Sequence, residues 1–373
     1  MSKQQLVDPL LLNLDQLLLG VKFLQELSPR TLDYLVSFGE RLSVRIFASH
    51  LRVNEGLKAQ YHDAFDVGFR SDSEFTRAEL EDETFQNIRT YFEKFVGDEC
   101  IAVVTGFIAK DKNGNITTLG RGGSDLTASA LGAALGVTEV QVWKDVDGIL
   151  STDPRIVKGA VPVPRVSFEE ASEMAYFGAK ILHPIAMQPA MKSNIPVRVK
   201  NSYNPEHPGT VIASIRDPTE VRASPVTAIS IKRGVELVDI VSTRMLGAYG
   251  FLAEVFKVFE KYKVSVDMIA TSEVSISLTI DGAVCDAEVQ AAISSDLEEI
   301  ASVGFSTDKA IVSLVTNIPR SSDVLAQALR ALSDASIDVQ MISQGASKFN
   351  ISMIVDDKEG SAAVKTLHDA FFD

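Results

Sequence analysis

Residues 117–136 read TTLGRGGSDLTASALGAALG: a strand-like start, a glycine-rich turn, then a helix of small residues opening at Ser124-Asp125. Gly122 and Gly123 carry no side chain, so the backbone can approach an anion closely there. The first turn of a helix offers N–H groups without acceptors and a partial positive charge, which together favour a carboxylate or a phosphate. Arg121 adds a planar fork for the same kind of group. Asp125, beside these donors, can organise a lysine, a metal or a charged nucleophile. The plainer alternative is a tight turn capped by Ser124 with a solvated Arg121. A Gly-Gly turn alone would not exclude it, but Arg-Gly-Gly-Ser-Asp entering a small-residue helix argues for a ligand.

Around this segment lie CIAVVTGFIA (100–109), TEVQVWKDV (138–146) and IPVRVKN (195–201), each short, apolar or alternating, and separated by helical sequence. That pattern predicts an α/β protein with a buried, largely parallel sheet. In QVWKDVDGILSTDPRIV (141–157) an apolar strand breaks into Lys144, Asp145, Asp147, Gly148, Asp153, Pro154 and Arg155. Ligands of open α/β sheets bind beyond the carboxyl ends of strands. Acids there can hold Mg²⁺ through water, and Lys or Arg can neutralise phosphate. Lys180, in AYFGAKILHPIAMQPA (175–190), is a second cation for a nucleotide, while His183-Pro184 reads as the end of local structure. In LVSFGERL (35–42), Glu40 follows Gly39 on a helix. If buried, its carboxylate needs a cation, which a substrate ammonium could supply; an ordinary surface glutamate is the alternative.

Residues 6–27 are Leu-rich at helical spacing and predict one or two helices packed on a core. Residues 28–52 predict another, with Ser28 as N-cap and Pro29 at the first helical position. Four prolines in a polar context mark a boundary near 202–225. Beyond it the chain repeats itself. GFLAEVFKVFEKYKVSVDMIATS (250–272) aligns with DVLAQALRALSDASIDVQMISQG (323–345) at an offset of 73, and SISLTI (275–280) matches NISMIV (350–355) after a two-residue slip. With strands at 235–242 and 309–316, the order is β-α-β-β-α twice, closed by a further strand. Units this small should pack together or dimerise. The copies differ where chemistry is expected. Gly250-Phe251-Leu252 leaves a helix mouth open to a carboxylate, whereas the second copy has Asp323 there. Asp267 can pair with an ammonium and Glu273 adds a second acid, but the counterpart of Asp267 is Gln340.

The 373 residues hold 36 Lys+Arg against 50 Asp+Glu, a net charge of −14. Without basic runs this is a poor composition for nucleic-acid binding. No apolar run reaches the roughly 18 residues that span a bilayer. Two cysteines make no disulfide framework, which points to a reducing compartment, and five histidines show no metal-ligand spacing.

SFGE, TTLGRGGSDLTA, VWKDVDGILSTDPR, FGAKILHP, RMLGAYGFLAEVF and SVDMIATSEVSISLT, in that order, resemble the aspartate kinases, and VPVPRVSFEEASEMAYFGAK with IPVRVKNSYNPEHPGT most resembles the plant monofunctional type. The resemblance covers residues 28–373. It implies an amino-acid-kinase domain (1–215, lacking its first strands), an ACT module at 226–303 and a second at 304–373, completed by strand 226–234. It further implies transfer of phosphate from Mg·ATP to the side-chain carboxylate of L-aspartate, on the route to lysine, threonine and methionine. By resemblance Glu40 holds the aspartate amine, Arg121, Gly122, Gly123 and Ser124 clamp its carboxylate, and Asp125 lies near the transferring phosphate. Lys144, Asp145, Arg155, Lys180 and Ile181 resemble the ATP-binding set. Met245, Gly250, Phe251, Leu252, Ser265, Val266, Asp267, Thr271, Ser272 and Glu273 resemble a lysine-inhibitor site. The family often has His-Ser-Arg where this chain has Gly247-Ala248-Tyr249, which leaves effector preference open. S-adenosylmethionine is a candidate co-effector. A homodimer through the ACT modules is implied, with a location in the plastid stroma in a plant or alga and in the cytoplasm otherwise. The family's Lys-Phe-Gly-Gly-Ser phosphate loop does not occur in these residues. The expectation is therefore an aspartate kinase whose chain, as given, turns over little or not at all. The alternative is a catalytically inactive amino-acid-sensing subunit. A kinase acting on another amino acid, such as glutamate, is disfavoured by SFGE and the paired modules.

Overall fold

The computed structural model describes residues 3–95, 99–176, 182–214, 224–245, 249–317, 321–345 and 349–372. They belong to two units, Met1–Asp147 with Leu182–Ile215, and Gly148–Ile181 with Arg216–Asp373.

In the first unit, helix α1 (Lys3–Leu24) is a single helix that accommodates Pro9. Its leucines are spread round the whole barrel of the helix, so one neighbour cannot cover them. Leu6 and Leu10 are buried, but Leu11, Leu12, Leu18, Leu19, Phe23 and Leu24 are exposed, so only one stripe is packed as the sequence predicts. Helix α2 (Pro29–Val53) starts with the Thr31 N–H donating to Ser28 Oγ at 3.2 Å and Pro29 at its first position. It is amphipathic and buries Asp33, Ser37, Phe38, Val44 and Ala48. Strand β1 (Ala59–His62) pairs in parallel with β2 (Ile101–Val104).

The apolar run at 100–109 forms two strands, not one. The Ala64 N–H donates to Thr105 Oγ1 at 2.7 Å, and Phe107 then turns into the left-handed region at φ +68°. Strand β3 (Ile108–Lys110) folds back antiparallel on β4 (Ile116–Thr118). Helix α3 (Gly123–Leu135) and strand β5 (Val140–Lys144) follow, and β5 pairs in parallel with strand Val197–Asn201. That strand pairs antiparallel with Thr210–Ala213, so parallel and antiparallel pairing are mixed where the sequence predicts a largely parallel sheet. The core gathers Phe65, Phe69, Ile88, Ile108, Leu126 and Ala130. The small residues of α3 serve close packing: a Cβ on Gly132 would stand 2.3 Å from Val140 Cγ2.

The second unit is organised by one six-stranded sheet. Its elements are α4 (Phe168–Tyr176), β6 (Val226–Val241), α5 (Phe251–Lys261), β7 (Val266–Thr271), β8 (Ser275–Asp281), α6 (Ala287–Leu297), β9 (Ser302–Thr316), α7 (Ser321–Asp334), β10 (Met341–Gln344), β11 (Asn350–Asp356) and α8 (Asp357–Phe372). Strand order is β7-β8-β6-β9-β11-β10. Strand β6 joins the strands expected at 226–234 and 235–242 into one, β9 is about twice the length the sequence predicts, and both serve both repeats. β6 pairs with β9 along its whole length, residues 226–233 with 310–316 and Val235–Val241 with 302–309, and Val235–Val241 pair with β8 on the other edge. The two stretches meet at a register shift near Gly234, at φ +68°, and Asp308 of β9 is also left-handed at φ +56°. Val238, Val255, Phe259, Leu278 and Ile293 fill one core; Ile229, Leu314, Ala328, Met353 and Leu367 fill the other. Helix α4 is held by polar contacts: Thr227 Oγ1 donates to Glu170 Oε1 at 2.7 Å and Asn350 Nδ2 to Glu173 Oε2 at 3.0 Å. No helix among the described residues is long and apolar enough to cross a membrane.

Candidate functional site

The glycine turn of the first unit has the geometry its residues require. Gly120 and Gly122 both adopt left-handed backbone, at φ +66° and +77°, on either side of Arg121. The Gly123 N–H donates to Gly120 O at 3.1 Å and the Leu126 N–H to Gly122 O at 2.9 Å. This leaves the Ser124 and Asp125 N–H groups without acceptors inside the helix. Gly123 admits no side chain, since a Cβ would lie 2.8 Å from Phe107 Cδ2 and 3.0 Å from Leu119 Cβ. Arg121 is exposed and has no acidic partner among the described residues.

Two further predicted residues meet at the mouth of α3. Lys144, at the carboxyl end of β5, places Nζ 3.3 Å from Asp125 Oδ2, with side chains 27% and 23% exposed. The pair is accessible enough for a ligand to take one partner. Asp145 next to it is exposed. Asp147 accepts from Asn201 Nδ2 at 2.9 Å and Asn204 Nδ2 at 3.0 Å, and these bonds hold its carboxyl below the usual range. It anchors the 201–204 turn and is not turned to the glycine loop.

Glu40 arrives from α2. Burial pushes its carboxyl above its ordinary value of 4.5, against the opposing pull of the nearby Gly106 N–H. Gly106 in turn abuts the glycine turn: a Cβ there would stand 2.9 Å from Ser124 Oγ. Glu40 and Ser124 are therefore both brought to one bare backbone position. Asp33, two helical turns before Glu40, fixes α2 in place. It is 1% exposed and accepts from the Thr76 N–H at 2.9 Å, the Thr118 N–H at 2.9 Å and Thr118 Oγ1 at 2.8 Å.

Four positions that shape the turn were missed by sequence reasoning. Gly106 and Phe107 lie inside an apolar run that reads as strand. Thr127 Oγ1 accepts from the Phe107 N–H at 3.0 Å and donates to Gly123 O at 2.9 Å, locking the two loops together. His183, read as a structural terminus, does begin helix Pro184–Lys192, but it also covers the glycine turn: a Cβ on Gly122 would lie 2.7 Å from its Cβ. No group of three His, Cys, Asp or Glu able to hold a metal occurs among the described residues.

In the second unit, Arg155 is exposed and folded onto Asp153 within its own loop, Nε to Oδ1 at 3.0 Å. Lys180 and Ile181 lie outside the described residues, as do Gly247 and Ala248. The ten predicted effector residues belong to one repeat. Gly250, at φ +85°, is the N-cap of α5, Phe251 is buried, Leu252 is partly exposed and Met245 packs on the core. Val266 and Asp267 lie on the outer strand β7, after an exposed Ser265, and Thr271, Ser272 and Glu273 form its exposed end. Two of these groups are already engaged. Ser272 and Ser275 hydroxyls share a hydrogen bond at 2.7 Å in the β7–β8 turn. Asp267 Oδ2 takes Lys232 Nζ at 2.5 Å, with side chains 9% and 24% exposed.

The model of the Amino acid kinase family matches residues 7–201, and that of the ACT domain matches 238–293 and 312–371. "Aspartokinase 3, chloroplastic" of Arabidopsis thaliana is 51% identical over 370 residues, covering 96% of this chain. The chain spans 65% of the length of that relative. Two crystal structures of E. coli aspartokinase III, one with aspartate and ADP (R-state) and one with lysine and aspartate (T-state), each superpose with a TM-score of 0.80 at 33% identity. They cover 99% of this chain, which covers 82% and 81% of theirs.

Proposed function

The chain belongs to the aspartokinase family, with an amino-acid-kinase region followed by ACT domains, and on that premise we propose that it binds L-aspartate and Mg·ATP and transfers the γ-phosphoryl group to the aspartate side chain. The observation that carries this reading is the convergence of Glu40, Gly106 and Ser124 beside the Arg121 turn. An amino acid presents an ammonium and a carboxylate a few ångströms apart; Glu40 meets the first, Arg121 and the open N–H groups of α3 the second. The side-chain carboxylate then points along α3 to the Asp125–Lys144 pair. In the transfer, a carboxylate oxygen forms a bond to the γ-phosphorus while the bond to the bridging oxygen breaks and ADP leaves. Lys144 neutralises charge on the phosphates, and Asp125 positions it. Asp145 completes the nucleotide site of the first unit in this proposal, with Mg²⁺ arriving on the ATP.

Glu40→Gln separates this function from stability. Because burial raises the Glu40 pKa, the empty fold prefers the neutral acid, and stability is lost as pH rises above 4.5 through the shifted value. The glutamine variant should therefore melt above wild type at pH 7, and the gap should close as pH falls toward 4.5. Its aspartate affinity, measured by calorimetry, should drop at least 30-fold. Unchanged aspartate binding would remove the assignment. The second reading, an amino-acid-sensing subunit without turnover of its own, draws on the two ACT stretches, which match at 238–293 and 312–371. A coupled ADP-release assay separates the two: aspartate-dependent turnover supports the enzyme, whereas binding without turnover supports the sensor.

Regulation by lysine at the first ACT repeat belongs to the same proposal, with two copies pairing through these modules and a plastid location like that in the name of the Arabidopsis relative. A lysine effector would meet Asp267 in competition with the chain's own Lys232. Asp267→Asn is expected to weaken lysine binding tenfold or more by calorimetry. Equal affinity in the two proteins would place the effector elsewhere.

A further inference from the structure

Away from the glycine turn, the first unit holds a cavity of about 540 Å³. Arg30, Tyr34 and Arg41 of α2, Phe65 after β1, and Lys110 and Asn115 of the β3–β4 hairpin form most of its wall. No carboxylate lines it. In a chain of net charge −14, three cationic side chains converging without an acid between them is a local reversal of sign.

The cations are arranged before any ligand arrives. Lys110 Nζ lies 3.9 Å from the centre of the Phe65 ring and Arg41 Cζ 5.9 Å from it, and the ring is itself 6% exposed. Arg41 Nε also reaches Asp63 Oδ2 at 3.3 Å. That carboxylate does not cancel Arg41, because Arg45 grips it with both guanidinium arms at 2.9 and 3.1 Å. Asp66, exposed on the following turn, is the other acid whose field reaches Lys110 and Arg41. Arg30, Arg41, Arg45 and Lys110 against Asp63 and Asp66 leave a surplus of two positive charges. Arg30 stands exposed at the entrance with no acidic partner among the described residues. The volume is that of an ordinary small-molecule pocket, and the wall combines cations with two aromatic rings and an amide.

We propose that this cavity is a second ligand site, taking a small organic anion with at least two acidic groups, its charge seated between Arg30, Arg41 and Lys110 and its carbon skeleton against Tyr34 and Phe65. A polycarboxylate and a phosphate compound share the chemistry the pocket recognises. The site uses none of the residues assigned above to aspartate or ATP, so it stands whether or not that assignment holds.

Calorimetry on the full chain, with citrate in one arm and inorganic pyrophosphate in the other, tests it and separates the two sources. At least one probe is expected to bind wild type. Arg30→Gln, a change at an exposed position, should weaken that binding about tenfold, and Lys110→Met should weaken it at least as much, while Lys110→Arg keeps it within threefold. Arg121→Ala should leave it within twofold. No binding of either probe would overturn the proposal. So would binding that survives Arg30→Gln and Lys110→Met, or binding that disappears with Arg121.

Discussion

Replacing Arg121 by alanine is expected to weaken L-aspartate binding by about a hundredfold, without moving the thermal midpoint of the chain. A charge-assisted, two-pronged bond to a carboxylate is worth about 3 kcal/mol, and 1.4 kcal/mol is a factor of ten. The fold has nothing to lose, because Arg121 is exposed and has no acidic partner among the described residues. Lysine at this position should restore only part of the affinity, since a point charge cannot match the planar fork. Calorimetry beside a melting curve checks both halves. Wild-type affinity in the alanine variant would mean that the glycine turn does not hold the substrate's acid group. A fall in the midpoint would mean that Arg121 is structural.

The largest loss of stability is expected from Asp33→Ala, at about 3–5 kcal/mol, because the two Thr118 donors stay behind in a dry interior and the Thr76 N–H loses its acceptor. Thr76, one of those donors, sits at φ +74°, a backbone state that a threonine keeps only when its surroundings enforce it. Trp143, the single tryptophan, lies in the same unit on β5 and reports its unfolding by fluorescence in urea. Asp33→Asn keeps one acceptor oxygen and should cost less than alanine. A change under 1 kcal/mol for Asp33→Ala would show that Thr118 and Thr76 find other partners. Aspartate binding should weaken as well, since Asp33 and Glu40 lie on one face of α2 and move together.

Where an element announces itself locally, the sequence was sufficient. Ser28-Pro29 marks the start of α2, Arg-Gly-Gly-Ser-Asp marks the mouth of α3, and the 73-residue offset marks the repeated module. Lys144 and Asp125 were each readable from position alone, one where a strand gives out and the other where a helix begins. What was not legible depends on distant partners. Nothing in CIAVVTGFIA says that Thr105 will cap a turn 41 residues back, or that Gly106 must leave room for Ser124. Asp33 reads as one acid among leucines until Thr118, 85 residues later, comes to meet it. Asp267 reads as an unoccupied carboxylate because its counter-ion is 35 residues away. The continuity of β6 and the full length of β9 were hidden for a different reason. Gly234 and Asp308 look like strand ends, yet the chain only shifts register there and the two strands go on pairing with each other.

That shared pairing has a practical meaning for anyone who wishes to isolate half of the regulatory region. A cut between residues 303 and 304 severs a continuous strand two residues from its start, and the piece upstream keeps residues 226–233 with no partner for their backbone. The piece downstream begins without the neighbour that residues 310–316 require. The two copies recognisable by eye in the amino-acid text are thus not two objects that scissors can separate, and neither can drift in shape without dragging its twin along.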